Sequence, residues 1–176
     1  MIETIIIAAT VLIVAVLIYA ATLPRNFQIQ RSATIKASPD RLFPLINDLH
    51  TMQTWSAWET VDPAMKRSYS GEASGKGAKY AWEGNREIGQ GSMEITESIP
   101  PVKVALRLDF IKPFKGQSTV EFILEPKGDN TVVTQTMRGT NEYIAKLLCL
   151  LFFNQDKMIG GKFEQGLANL KAIAEK

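Results

Sequence analysis

The stretch from Asn141 to Lys176 constrains this chain most. Apolar residues recur there at helical steps: Ile144, Leu147, Leu148 and Leu151, then Met158, Ile159, Phe163, Leu167, Leu170 and Ile173 or Ala174. Steps of three and four align these side chains on one stripe and leave Lys162, Glu164, Lys171 and Glu175 outside it. No other soluble stretch offers so long an apolar face, and a sheet with one apolar side needs such a helix as its cover. Asn154 and Asp156 are N-cap residue types. Each glycine of Gly160-Gly161 costs a helix about 1 kcal/mol against alanine. The pattern predicts a helix over 142–153, a joint at Asn154–Asp156 and a main helix over 156–174, with the paired glycines marking close packing.

At the other end, Ile2 to Leu23 is almost wholly apolar. About 20 helical residues cross the roughly 30 Å hydrocarbon layer. A cleaved signal peptide is the competing reading, but Glu3 stands where basic residues are usual, the apolar run is long, and Ile18-Tyr19-Ala20-Ala21 is a poor cleavage site. Residues 1–23 are therefore expected to form a single-pass anchor. The basic residues that follow, Arg25, Arg31 and Lys36, favour the cytoplasmic side for the remainder. Residues 24–26 form the linker, which reaches only about 10 Å, so a domain over 27–176 is expected to rest against the bilayer.

From Phe27 to Ala37 apolar and polar residues alternate as in a half-buried strand. Ser38-Pro39-Asp40 reads as a helix start, with the helix running to about Leu49 and Pro44 disturbing it. Strands are then expected near 66–70, 79–83, 87–99, 103–112, 117–125 and 131–139, separated by Gly, Pro and Asn. Leu106, Leu108 and Phe110 share a face with Val104, and Phe122 shares one with Val120 and Leu124. The order strand, helix, six strands, long helix defines an α+β layout with an antiparallel sheet that is apolar on one side.

Composition removes several chemistries. Twenty basic and 18 acidic residues nearly balance, so the chain has no nucleic-acid footprint. One histidine, His50, and one cysteine, Cys149, make neither a usual zinc site nor, in different predicted helices, a catalytic pair. Gly75-x-Gly77 and Gly89-x-Gly91 lack a following helix and read as hairpin or bulge glycines rather than a phosphate cradle. Glu59, Asp62, Glu83 and Glu87 sit by predicted loops or strand ends, where solvated carboxylates are the rule. No catalytic residue, cofactor or metal ligand is assigned.

Several segments in order resemble the START-like (SRPBCC) superfamily, specifically its polyketide cyclase/dehydrase-type branch. They are Ser38-Pro39, Trp55-Ser56-Ala57-Trp58, the run from Tyr69-Ser70-Gly71 to Tyr80-Ala81-Trp82, Gly89 to Thr96, Pro113-Phe114, Thr131 to Gly139, and Asp156 to Lys171. The resemblance covers about residues 27–176. It implies a helix-grip fold: a curved antiparallel sheet of about seven strands wrapped around a long C-terminal helix over an internal hydrophobic cavity. Gln135 departs from the pattern, standing where similar members often carry an aromatic. On this reading Trp55, Trp58, Tyr80 and Trp82, with Met93, Leu106, Leu108, Phe110, Phe122, Gln135, Met137, Met158 and Phe163, line the cavity. The alternative, that the aromatics and methionines only fill a core, stays open.

The expected function is membrane-tethered binding of a hydrophobic small molecule or lipid. A cyclase- or dehydratase-like enzyme and an assembly factor for a membrane protein are the alternatives, and the sequence names no protein partner. Leu147 to Phe153 is more apolar than one helix face can bury. Its outer side, Leu150 and Phe153, is therefore expected to touch lipid and gate passage between membrane and cavity.

Overall fold

The computed structural model describes residues 1–152 and 154–176, so Phe153 lies outside it. Helix α1 (Ile2–Thr22) leads into strand β1 (Asn26–Ile35), helix α2 (Pro39–Asn47), the single turn α3 (Leu49–Met52) and a 3-10 turn at Ala57–Thr60. Strands β2 (Lys66–Gly71), β3 (Ala78–Glu83), β4 (Gln90–Ile99), β5 (Lys103–Lys112), β6 (Gly116–Lys127) and β7 (Asn130–Thr140) follow. Helices α4 (Tyr143–Leu151) and α5 (Gln155–Ala174) close the chain. All seven strands form one antiparallel sheet in the order β1-β7-β6-β5-β4-β3-β2. This is the α+β helix-grip architecture that the sequence predicts.

The sheet is apolar on one face. Its convex face carries ion pairs across neighbouring strands, Lys103 with Glu97 and Glu121 (2.7 and 2.9 Å) and Arg107 with Glu94 (2.9 Å), and one within β5, Arg107 with Asp109 (3.1 Å). The concave face packs on α5 through Ile159, Phe163, Leu167, Leu170 and Ala174, the 3.6-residue stripe. Met158 is the exception. Placed on that stripe by the sequence, it sits about 100° of helix turn from Ile159 and is 53% exposed. Ile144 likewise faces outward, at 63%.

Two element boundaries differ for identifiable reasons. The helix from Ser38 breaks at Asp48, whose carboxylate accepts the His50 N–H (2.8 Å) and starts α3. The break frees the Leu45 carbonyl, which takes the Trp55 indole N–H (2.8 Å). Strand β4 starts at Gln90 rather than 87, because the Asn85 side chain accepts the N–H groups of Glu87 and Ile88 (2.9 and 3.1 Å) in a turn. The joint before α5 is where the sequence puts it, with Asn154 accepting the Lys157 N–H at 2.9 Å.

Arg31 joins β1 to α5. Register places it on the concave face beside Gln135, and its guanidinium donates to Asp156 (2.9 and 3.0 Å) and Glu164 (2.5 Å). A Cβ on Gly160 would collide with that guanidinium, whereas one on Gly161 would meet nothing within 4 Å. Only the first glycine therefore marks close packing. Gly161→Ala is expected to gain about 1 kcal/mol in chemical denaturation, and Gly160→Ala, which must displace Arg31, to fall clearly short of that. Equal gains would show that Arg31 is not held.

Candidate functional site: the half-buried end of the concave face

Residues facing each other on adjacent strands point to one side, so the strand register lays out the concave face in rows. The deepest rows are closed. Ile95, Leu106, Val120, Met137 and Ile29 form one, and Val104, Phe122, Gln135 and Arg31 the next, with every member but Arg31 at most 7% exposed. Phe163 from α5 and Trp55 complete this packing, the latter edge-on to Phe122 at 5.9 Å.

Toward the other end the face opens. One row runs across the whole sheet: Tyr69, Tyr80, Met93, Leu108, Ser118, Gly139 and Phe27. The next holds Arg67, Trp82, Gly91, Phe110 and Gly116. Tyr69, Met93, Leu108, Phe110 and Phe27 are only half-buried, while Tyr80, Trp82 and Ser118 in the same rows are as buried as the closed rows. The cause is where the helices lie. α5 packs chiefly on β1 and the 3-10 turn, α2 on β5 and β6, and α3 on β3. The glycines of these rows let rings pack against the backbone: at Gly139 a Cβ would strike the Phe27 ring (2.8 Å) and the Ser118 hydroxyl (2.5 Å).

An aromatic chain forms one wall. His50 stacks on Tyr69 (3.8 Å between centroids), Tyr69 meets Tyr80 (5.1 Å), Tyr80 stacks on Trp82 (6.0 Å), and Trp82 stands edge-on to Phe110 (6.0 Å). The polar groups of this wall are engaged. The Tyr80 hydroxyl donates to Glu59 (2.9 Å), whose second oxygen accepts from Arg67 (2.8 Å). Gln53 donates to the Tyr69 hydroxyl (2.5 Å), and the Trp82 indole donates to the Ile88 carbonyl (3.2 Å). Burial, then the Glu59 charge, pushes the Tyr80 hydroxyl well above its ordinary 10.0, and the same two causes raise Tyr69. The arrangement can hold an apolar, flat or branched molecule and orient it with fixed hydroxyls; Tyr80 is not poised to exchange a proton near neutral pH.

The residues that the sequence suggests for the cavity fall into three groups. Tyr80, Trp82, Met93, Leu108 and Phe110 share the open end; Trp55, Leu106, Phe122, Gln135, Met137 and Phe163 lie in the closed rows; Trp58 is half-buried on the 3-10 turn and Met158 faces outward. Sequence reasoning missed Tyr69, Phe27, Ser118 and Gly139, which only strand register brings together. It also left Glu59 as a solvated carboxylate. An aromatic-flanked Glu followed eight residues later by Arg67 was the available signal, and its side chain is 14% exposed against Arg67. Two surface clefts border this region, one of about 150 Å³ beside His50 and Tyr69 and one of about 650 Å³ that Phe27 shares with the end of α1, α4 and the start of α5.

Fold and site together define a helix-grip domain of the ligand-binding class. The chain belongs to the polyketide cyclase/dehydrase and lipid transport family, whose sequence profile matches residues 26–175. No curated protein matches it. Protein CV1439 of Chromobacterium violaceum is similar in structure, with TM-score 0.62, 14% identity, and coverage of 85% of this chain and 97% of that one. The Aha1 dimer of Colwellia psychrerythraea follows with 0.57, 21%, and coverage of 85% and 96%. DynU16, from the dynemicin biosynthetic locus, gives 0.57 and 12%, covering 85% of this chain and 47% of that one. At these identities the likeness shows the fold alone.

The Tyr80 shift makes a prediction about alkaline stability. With its folded pKa above the unfolded 10.0, Tyr80 stabilises fully below pH 10, and the contribution is lost as pH rises toward the folded value, because the unfolded chain gives up its proton first. Tyr80→Phe should therefore reduce the stability lost between about pH 9 and about pH 11 by up to about 1 kcal/mol, read by urea denaturation. An unchanged loss would mean that the hydroxyl titrates freely.

Proposed function

We propose that this protein binds a hydrophobic small molecule or lipid at the open end of the concave face while α1 tethers it to a membrane. The observation that carries the reading is the change along a single sheet face from rows buried throughout to rows in which Met93, Leu108 and Phe110 are only half-buried. A soluble sheet that needed only stability would cover those side chains. Engagement of the Glu59 carboxylate by Arg67 and Tyr80 favours a binding role over a cyclase- or dehydratase-like one, since both oxygens of the carboxylate behind the aromatic wall already have partners.

The tether reading draws on α1, the one helix among the described residues long and apolar enough to cross a membrane. At about 1.5 Å per residue its 21 residues extend about 32 Å. Its C-terminal end is built into the domain. Lys146, 6% exposed on α4, donates to the carbonyls of Ala21 (3.2 Å) and Leu23 (2.9 Å), satisfying groups that a helix end leaves open. Cleavage near Ala21 would leave Lys146 the Leu23 carbonyl but remove the Leu17 carbonyl that accepts from the Tyr143 hydroxyl and the helix that α4 packs on, which argues against a signal sequence.

Two measurements test this. Native mass spectrometry of the full chain extracted in mild detergent should find a co-purified apolar ligand, and Leu108→Trp, which fills the open end, should weaken it at least about tenfold (about 1.4 kcal/mol) without unfolding the domain. Absence of any bound apolar molecule, with no uptake of hydrophobic dyes, would overturn the binding reading. Intact-mass analysis of the membrane fraction should recover residues 1–23. A chain beginning near Ala21 or Thr22 in the soluble fraction would overturn the tether.

A further inference from the structure

Helix α4 leaves apolar side chains uncovered. Ile144 is 63% exposed, Leu151 49% and Phe152 71%, with half-buried Leu148 between them. Ile144, Leu148 and Leu151 fall at i, i+4 and i+7, one helical stripe, and Phe152 extends it. Exposed apolar surface of this continuity marks a contact. The Leu150 side chain, expected outermost, is 38% exposed and borders the larger cleft.

What lies against the stripe follows from how α4 is fixed to α1. The Tyr143 hydroxyl donates to the Leu17 carbonyl (2.9 Å), and the next turn brings Lys146 to Ala21 and Leu23. Leu17 is five residues before the end of α1 at Thr22, about 7.5 Å along the axis. The start of α4 is thus level with the last turn and a half of α1, where Leu17 and Ile18 are themselves 38% and 62% exposed. The apolar surface of α4 continues that of α1. An amphipathic helix lying in a membrane interface buries its apolar face by about 5–10 Å, which is the depth that the Tyr143–Leu17 bond sets. A tyrosine at this level, with an apolar ring and a polar tip, suits the headgroup boundary.

We propose that α4 is an interfacial membrane helix, lying in the leaflet where α1 leaves the bilayer, with Ile144, Leu148, Leu151 and Phe152 against lipid chains. The proposal rests on the reading of α1 as a span. It gives the domain a fixed attitude to the membrane, held by two helices joined through Lys146 rather than by a swinging tether.

The test uses the full chain with Cys149→Ser, reconstituted in vesicles of phosphatidylcholine and phosphatidylglycerol. Single nitroxide labels go at Val11→Cys in α1, at Ile144→Cys and Leu151→Cys in α4, and at Thr119→Cys on the exposed convex face. Collision with oxygen, which favours lipid, is compared with collision with a water-soluble nickel chelate. Labels at Val11, Ile144 and Leu151 should favour oxygen several-fold, and the one at Thr119 should favour nickel. A lipid-buried Val11 with nickel-accessible Ile144 and Leu151 overturns the interfacial helix and leaves the anchor standing. A water-exposed Val11 overturns both. Ile144 and Leu151 shielded from both reagents would mean that a protein surface, a partner or a second copy, covers the stripe, and that also overturns the proposal. A label at Phe152→Cys supplies the same readout should either α4 variant misfold.

Discussion

Arg31 and the two carboxylates that hold it set where the long helix lies on the sheet, and most of the rest follows from that position. The register of β1 against β7 points Arg31 to the concave side, in line with Val104, Phe122 and Gln135. An unpaired cation there would be costly. Asp156 in the first turn of α5 and Glu164 two turns later grip the guanidinium from above. Both carboxylates are more than 60% exposed, so the pairs add little stability. Apolar burial of Ile159, Phe163, Leu167 and Leu170 holds the helix down, while Arg31 fixes its rotation and its place along β1. With α5 committed to that edge, the middle strands at the far end are left half covered.

The polar wall of the open end shows how a small domain can keep aromatic surface accessible without collapse. Tyr69 and Tyr80 sit on neighbouring strands, and each hydroxyl is tied from outside the sheet, by Gln53 and by Glu59, which Arg67 of β2 holds in turn. These ties come from segments between α2 and β2, the irregular part of the chain. Irregular connections thus fix the positions of the two rings on the sheet.

Most of the architecture was legible because the chain states it twice, once in periodicity and once in punctuation. Strand β5 spans 103–112, the range its alternation predicts, and Asn154 caps α5 where the joint was expected. Turn chemistry was harder. The Asn85 side chain replaces backbone ladder bonds over two residues, and Asp48 ends one helix and begins another, effects that hydropathy does not register. The site was least legible. Tyr69, Ser118, Gly139 and Phe27 lie far apart in sequence and meet only through register, and Arg31 read as one basic residue after the apolar run rather than as an inward-pointing clamp. Met158 shows the converse limit. A window of apolar residues one turn wider than the true face includes a residue that stands outside.

The Lys146 contact has a consequence for the order of assembly. Its two carbonyl partners lie at the end of α1, ahead of the sheet in the chain, whereas Lys146 itself is made after all seven strands. Until α4 arrives, the end of α1 keeps open carbonyls, and until α1 is in place, α4 has nowhere dry to put an ammonium. If α1 is lodged in a bilayer as proposed, the last step of folding becomes a local event at the membrane surface, in which the sheet closes, α4 lies down and the lysine finds acceptors waiting. The chain would then carry its own checkpoint, because a domain released from its first helix could complete its sheet but not its final helix pair.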